Sequence, residues 1–509
     1  MSSVKRRDFV RTVGQGVVLA GAGGFGLPGI LWAQSGPPSL PHAPKVSAQT
    51  DWNEWEVYYP GQYDAHDSGV LKAFQAQLDR INQRGDVDIG ALVSGKLSGT
   101  PGIVEGHQIS LEEMMTYANT YTLGNPFYAD ESYARHTKFG RQVAFPLIYE
   151  LYIFPYLALN AGIGDYMLVS RHNDTHNYYK PYFEGDTIFI VIDQQKFVDT
   201  TPAEGSYYRS FAMSVSARYF NQNGELAGQT ATVLQNSFRR HKDPAKRNPD
   251  GVIVWENPDW WHHRPIYHYT DKDWDAIIAL WKSEKPRGAT PLYWDDVKVG
   301  DQPTPSAIGP ILPDQVNNIM FAALPWNAAI KQNVLNQDTF RTMVKNPQGI
   351  YVLPEHREKK PADTPFADKE LANRDGRCKI SNGVAPRCAI GMLSNWMGDA
   401  GWLHRVGWTQ MSDLPGYDLS TVPDYPKSAM PALFDKYPYL DKVPFMRGRL
   451  DTHPMEGDLF ISRAYVTGKY EQAGEYFVDL TWWTESFDKY LLGEGFATIK
   501  LPKSGKARE

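Results

Sequence analysis

Apolar and polar positions alternate along three long stretches of the chain: Thr187 to Ile192, Tyr207 to Tyr219 and Thr230 to Phe238. A period of two sends successive side chains to opposite faces of an extended backbone, so each stretch predicts a β-strand. Elsewhere the period lengthens. Leu71, Phe74, Leu78 and Ile81 return every three or four residues, as do Trp274, Ile277, Ile278 and Trp281, and both runs predict amphipathic helices. A third helix is marked by its start. Ser110 and Glu113 have the spacing at which a hydroxyl and a carboxylate cap each other's backbone, just ahead of Met114 to Ala118. The polar run His241 to Asp250 closes the first strand-rich region. The helix over Asp271 to Glu284 then reads as a linker to a second module opening near Tyr293.

That second module repeats the first. Pro181-Tyr182-Phe183-Glu184-Gly185-Asp186, followed by Thr187-Ile188-Phe189, returns as Pro454-Met455-Glu456-Gly457-Asp458, followed by Leu459-Phe460. In both copies a Gly-Asp turn launches a long strand, which implies two units of nearly equal length. The boundaries read 1–33, a leader; 34–100, a tether and N-terminal helical extension; 101–240, a first repeat; 241–290, a linker with helix; and 291–509, a second repeat with an insertion.

Composition narrows the chemistry. Across 509 residues the net charge is −6, so no basic excess exists to neutralise a phosphate backbone, and nucleic-acid binding is excluded. Two cysteines rule out a disulfide-stapled scaffold and a four-cysteine zinc site, while leaving a Cys378–Cys388 disulfide and two free thiols both open. Aromatic residues make up 13% of the chain, with 15 Trp and 29 Tyr. Side chains of that size suit sheets, deep cores and apolar ligand pockets.

The leader carries an address. Lys5-Arg6-Arg7-Asp8-Phe9 precedes a weakly apolar, glycine-rich stretch ending in Leu31-Trp32-Ala33, and the arrangement resembles a twin-arginine export signal cleaved after Ala33. Its loss removes four basic and one acidic side chain, taking the net charge to −9. No other stretch reaches 18 apolar residues, so a soluble periplasmic product without a stable membrane span is expected.

Several segments, in order along the chain, resemble MaoC-like dehydratases and hydratases of the double-hotdog type. They are Leu123-Gly124-Asn125-Pro126-Phe127-Tyr128-Ala129-Asp130 with Tyr133; Phe139-Gly140 and Val143-Ala144-Phe145-Pro146; Glu284 to Ala289; Tyr293 to Asp301; Gly309-Pro310; Asn395 to Leu403; and Gly493 to Leu501. The resemblance implies an α+β fold, a tandem hotdog in which each repeat wraps a long helix in an antiparallel sheet. It also implies reversible addition of water across an enoyl thioester by an Asp–His pair, with no cofactor or metal. In the first repeat Leu123 and Tyr128 stand where active members have the Asp and the His, while Asn125, Pro126, Asp130 and Tyr133 remain. In the second repeat Phe366-Ala367-Asp368 takes the place of the family's His-Trp-Asp, and Asn382 and Arg387 follow. The resemblance thus gives Asp368 the role of orienting water or a hydroxyl. On the hydro-lyase reading Arg387 is expected to anchor a polar substrate group, Tyr128 or His176 to transfer the proton, and Asn125, Asp130 and Asn382 to bind substrate.

His172, Asp174 and His176 share one face of an extended segment. Three functions therefore stand open. One is a periplasmic hydro-lyase acting on an apolar small molecule not carried by coenzyme A. Another is a non-catalytic hotdog binding a hydrophobic ligand. The last is a metal-dependent lyase or hydrolase built on the His172/Asp174/His176 face. Monomer and homodimer are equally compatible with a chain that carries both repeats.

Overall fold

The computed structural model describes residues 55–56, 72, 75–76, 78–122, 124–146, 148, 171–199, 209–238, 240–241, 266–312, 329–354, 380, 383–409 and 454–505. The first repeat runs β1 (Ile103–Gln108), α1 (Leu111–Tyr121), β2 (Arg171–Tyr178), β3 (Thr187–Asp199), β4 (Arg209–Phe220) and β5 (Leu226–Phe238). After α2 (Asp271–Ser283) the second repeat runs β6 (Ser306–Ile308), α3 (Val384–Met397), β7 (Trp402–Thr409), β8 (Phe460–Gln472), β9 (Glu475–Glu485) and β10 (Leu491–Lys500).

All these strands join one antiparallel ten-stranded sheet in the order β1-β3-β4-β5-β2-β7-β10-β9-β8-β6. Each half has its helix between its first and second strands, and those second strands, β2 and β7, pair with each other: Asp174 lies opposite Trp408 and His176 opposite Val406. Two copies of one helix-and-sheet unit thus meet strand to strand. This is the tandem hotdog that the resemblance implies.

The sequence repeat has a structural counterpart in backbone detail. In the first copy Phe183 N donates to Asp186 Oδ2 at 3.0 Å and Asp186 N to Phe183 O at 3.1 Å. In the second, Met455 N donates to Asp458 Oδ2 at 2.7 Å and Asp458 N to Met455 O at 3.0 Å. The aspartate closes the turn through its side chain, as short polar side chains do before a strand. Gly185 and Gly457 sit at φ +81° and +89°, where a Cβ would be strained.

The helices differ in how they are held. On α1, Ser110 Oγ accepts from Glu113 N at 3.2 Å while Glu113 Oε2 accepts from Ser110 N at 2.8 Å, the reciprocal cap that the spacing predicts. α3 starts at Gly383 with no side-chain cap, yet twelve of its 14 residues are buried. Burial decides the matter. A missing cap costs about 1 kcal/mol, while each of Ile390, Met392, Leu393 and Met397 contributes about 1.5–3 kcal/mol by leaving water. Pro386 is tolerated because it falls in the first turn, where amide groups have no partner within the helix.

One core serves both repeats, drawing Ile190 and Tyr219 from the first, Leu480 and Trp482 from the second, and residues of α1 and α3. Where the helices cross, a Cβ on Gly391 would lie 2.0 Å from Tyr121 O, so only glycine permits the approach. α2 connects the repeats in sequence and packs on the second one. Its Trp274, Ile277 and Trp281 share a cluster with Ala307, Leu459 and Ile461. Among the described residues no helix is long and apolar enough to cross a membrane.

Candidate functional site at the seam between the repeats

α1 ends at Tyr121, and the chain then builds a small overhang. Asn125 caps a four-residue helix, its Oδ1 accepting from Phe127 N at 3.1 Å, and Asp130 caps the next, accepting from Tyr133 N at 3.1 Å. Asp130 is exposed, and the Ser132 hydroxyl and the Tyr133 amide hold its carboxyl below the usual range. Its role is to aim Tyr133.

α3 leaves differently. It reaches Gly398 at φ +65° and enters β7 by Trp402. This turn lies against the overhang. Asn125 Nδ2 donates to Asn395 Oδ1 at 2.9 Å, and the Tyr133 hydroxyl donates to Asp399 Oδ2 at 2.6 Å. Lys138 Nζ reaches Ala400 O at 3.0 Å, and the Tyr128 hydroxyl faces Ser394. The segment Arg287–Gly288 completes the seam. Arg287 N and Nε donate to Asn395 O and Trp396 O at 2.9 and 2.8 Å, satisfying carbonyls that the helix end leaves open. Asp399 N donates to Gly288 O at 3.1 Å.

Burial tunes these groups. Asp399 is 8% exposed, and loss of water raises its carboxyl above the usual range against the opposing pull of Tyr133 and Lys138. Among the described residues its Oδ1 has no hydrogen-bond partner. Lys138 has an exposed stem, but its ammonium is tucked against the seam, where desolvation and Lys500 lower it to about 8. Tyr133 is pushed up to about 12 by desolvation and by its bond to Asp399. A carboxyl pushed up, the phenol bonded to it and an ammonium pushed down form an array able to hold and pass a proton near neutral pH.

The site residues named from sequence fall into three groups. Asn125, Tyr128 and Asp130 lie in the overhang. Tyr128 is 2% exposed, its carbonyl takes Gln142 Nε2 at 2.5 Å, and burial drives its phenol far above the usual range. With Tyr178, Tyr182 and Met397 it lines a cavity of about 20 Å³, room for a single water. His176 and Arg387 come together deeper in the core. The imidazole stacks on Trp408 at 4.7 Å between centroids, its Nδ1 meets Thr230 Oγ1, and burial with Arg387 nearby lowers it to about 3. It is therefore a neutral ring at physiological pH. Asp368 and Asn382, together with Phe366 and Cys378, lie outside the described residues. Cys388 carries a free, buried thiol. Asp174 is buried on the same strand as His176, and the side chain of His172 lies outside the described residues. Among the described residues no group of three or more His, Cys, Asp or Glu could hold a metal ion.

Asp399 is the residue that sequence reasoning passed over, although the text around it was singled out. The available signal was the family-like run Asn395 to Leu403 in which it lies.

No protein-family model and no curated protein matches the chain. Among solved structures it is similar to a MaoC domain protein from Chloroflexus aurantiacus J-10-fl, at 12% identity and a TM-score of 0.40, covering 79% of this chain and 95% of that one. A conserved hypothetical protein from Mycobacterium tuberculosis, described as having a double hotdog fold, aligns at 8% identity and a TM-score of 0.40 over 78% and 94% of the two chains. A MaoC-like dehydratase from Phytophthora capsici aligns at 8% identity and a TM-score of 0.35 over 83% and 100%.

Proposed function

We propose that this chain is a hydro-lyase, adding or removing water on a small molecule at the seam between its repeats. One observation carries the reading: Asp399 is buried and raised, bonded to Tyr133 through Oδ2 and presenting an Oδ1 with no hydrogen-bond partner among the described residues. Hydration of a conjugated double bond needs a base to take a proton from water and an acid to return one to carbon. Here Asp399 takes the proton from water and, as the acid so formed, returns it to the neighbouring carbon, while Tyr133 holds the carboxyl in place and Lys138 biases its charge. Asn125 and Asn395 lock the overhang to α3. The reaction departs from the family's Asp–His arrangement, since Leu123 and Tyr128 occupy those places.

The test is label from isotopic water entering a panel of conjugated enoyl compounds, both free and as thioesters. Turnover by the wild type that Asp399→Asn abolishes supports the hydro-lyase; turnover unchanged in Asp399→Asn sinks it. The buried, strongly raised Tyr128 phenol favours a second reading, a hotdog that binds a hydrophobic ligand without acting on it. Recovery of unchanged ligand with no label gain selects that reading. The periplasmic address is part of the proposal and rests on Arg6-Arg7 and the apolar stretch after them. Replacing both arginines with lysine should leave the protein in the cytoplasmic fraction.

A further inference from the structure

Beside the seam, Met392, Asn395 and Trp396 form one face of α3, at the i, i+3, i+4 spacing of side chains that stack along a helix. Across from them run Glu284 to Arg287 and the hydroxyls of Thr304 and Ser306, and the space between is a cleft of about 300 Å³. That is the lower end of the range for small-molecule sites.

Charge decides what the cleft prefers. Its one acidic group is already used. Glu284 Oε1 accepts from Ala307 N at 2.9 Å, while Oε2 accepts from Ser306 Oγ and pairs with buried Lys331, each at 2.7 Å. The two cations at the rim have no such partner. Among the described residues neither Lys285 nor Arg287 forms an ion pair, and Arg287 uses only its backbone N and its Nε, leaving the outer guanidinium nitrogens uncommitted. The C-terminal end of α3 offsets about half a charge of this excess, and the remainder is positive. Met392, Trp396 and Pro286 supply apolar walls. A guanidinium fixed at Nε presents a planar fork, which matches a carboxylate.

We infer that this cleft binds an organic carboxylate with an unsaturated apolar body, its head group on Arg287 and Lys285 and its body against Trp396 and Met392. Asn395 belongs to both places, since it lines the cleft and bonds Asn125 of the overhang. The carboxylate in the cleft would thus lie next to Asp399 and serve as the substrate. As a substrate site the cleft rests on the hydro-lyase reading; as a carboxylate site it stands or falls on binding alone.

Calorimetric titration of the purified full chain with cinnamate and sorbate separates the two, with cinnamyl and sorbyl alcohols as neutral counterparts and inorganic phosphate as a bare anion. Saturable binding of at least one carboxylate, with its alcohol binding at least about tenfold more weakly, is expected, because one charge-assisted hydrogen bond is worth about that factor or more. Arg287→Ala should weaken binding about tenfold or more. Lys285 is exposed and makes no described hydrogen bond, so Lys285→Ala tests the site without disturbing the helix end; a loss of severalfold is expected. Asp399→Asn should bind normally. Equal affinity for carboxylate and alcohol overturns the inference. So does phosphate binding as tightly as the carboxylates, failure of both carboxylates to bind up to their solubility limits, or indifference to both Arg287→Ala and Lys285→Ala. Binding without label uptake from water leaves the carboxylate site standing and removes the hydro-lyase.

Discussion

α1 and α3 each stand between the first and second strands of their repeat but hand the chain on in opposite ways. α1 is capped at its start, buries six of its 11 residues, and hands the chain to an overhang carrying Asn125, Tyr128 and Tyr133. α3 has no cap, buries nearly all its length, and passes into β7 through four residues that contain Asp399. Neither exit holds a complete acid–base set. The overhang has the phenol and the ammonium, the tight turn has the carboxyl, and the strand pairing of β2 with β7 holds the two halves in register. The two exits thus bring unlike parts to one seam, α1 the reach and α3 the burial.

The sharpest way to break this comparison is to remove the charge at the tight exit while keeping its shape. Asp399→Asn retains an acceptor for Tyr133 but cannot take a proton, so turnover should fall about 100- to 10,000-fold, the usual worth of a general base. Stability should move the other way. A raised carboxyl favours the fold below the ordinary Asp range, and that contribution is lost as pH rises through the folded value. Wild type should therefore lose stability over that window relative to Asp399→Asn, which thermal melts across pH would read. Equal pH profiles would remove the burial argument for Asp399.

The next effect separates the helices themselves. Gly391→Ala places a methyl 2.0 Å from Tyr121 O, so two helix backbones must part, and a loss of about 3 kcal/mol is expected despite alanine's better helix propensity. At the other exit, Gly124 has φ +80° with nothing within 4 Å of an added Cβ. Gly124→Ala should cost only the left-handed strain, about 1 kcal/mol. Similar denaturant midpoints for the two variants would mean that the crossing is not tight.

These features were legible to unequal degrees. The strands beginning at Thr187 and Thr230 could be read because one face meets the core and the other does not, and Ser110–Glu113 because a cap is local chemistry. The Glu-Gly-Asp turns showed the duplication because their aspartates hold the backbone within four residues. α3 could not be read the same way. A helix buried on nearly every side has no polar stripe, and its start has no cap to announce it. Asp399, in the turn after this helix, therefore stands out in the sequence only through the family-like run Asn395 to Leu403 around it. The seam's defining bond joins Tyr133 to a residue 266 positions away, a separation that no local pattern encodes.

Tyr133→Phe cuts the bond between the exits. Asp399 loses the Tyr133 hydroxyl as its donor, and an unsatisfied buried acceptor costs about 1–3 kcal/mol, part of which the carboxyl recovers by protonating more readily. Stability should fall by less than that range at neutral pH, and the acid limb of the activity profile should shift upward. An unmoved limb would separate Tyr133 from the chemistry.

The smallest effect lies with Lys138, at the outer edge of the overhang. Its folded value of about 8 is below that of a free lysine, so between the two the unfolded chain holds the proton more tightly and stability rises with pH. The stem is exposed, and solvent screens much of this contribution, so the rise should be slight. Lys138→Met should flatten it, while removing the positive neighbour that favours ionised Asp399 and so shifting the acid limb upward as Tyr133→Phe does, by less. If Lys138→Met leaves both the melting profile and that limb in place, the ammonium only ties down Ala400 and Gly401, and the proton array shrinks to Asp399 and Tyr133.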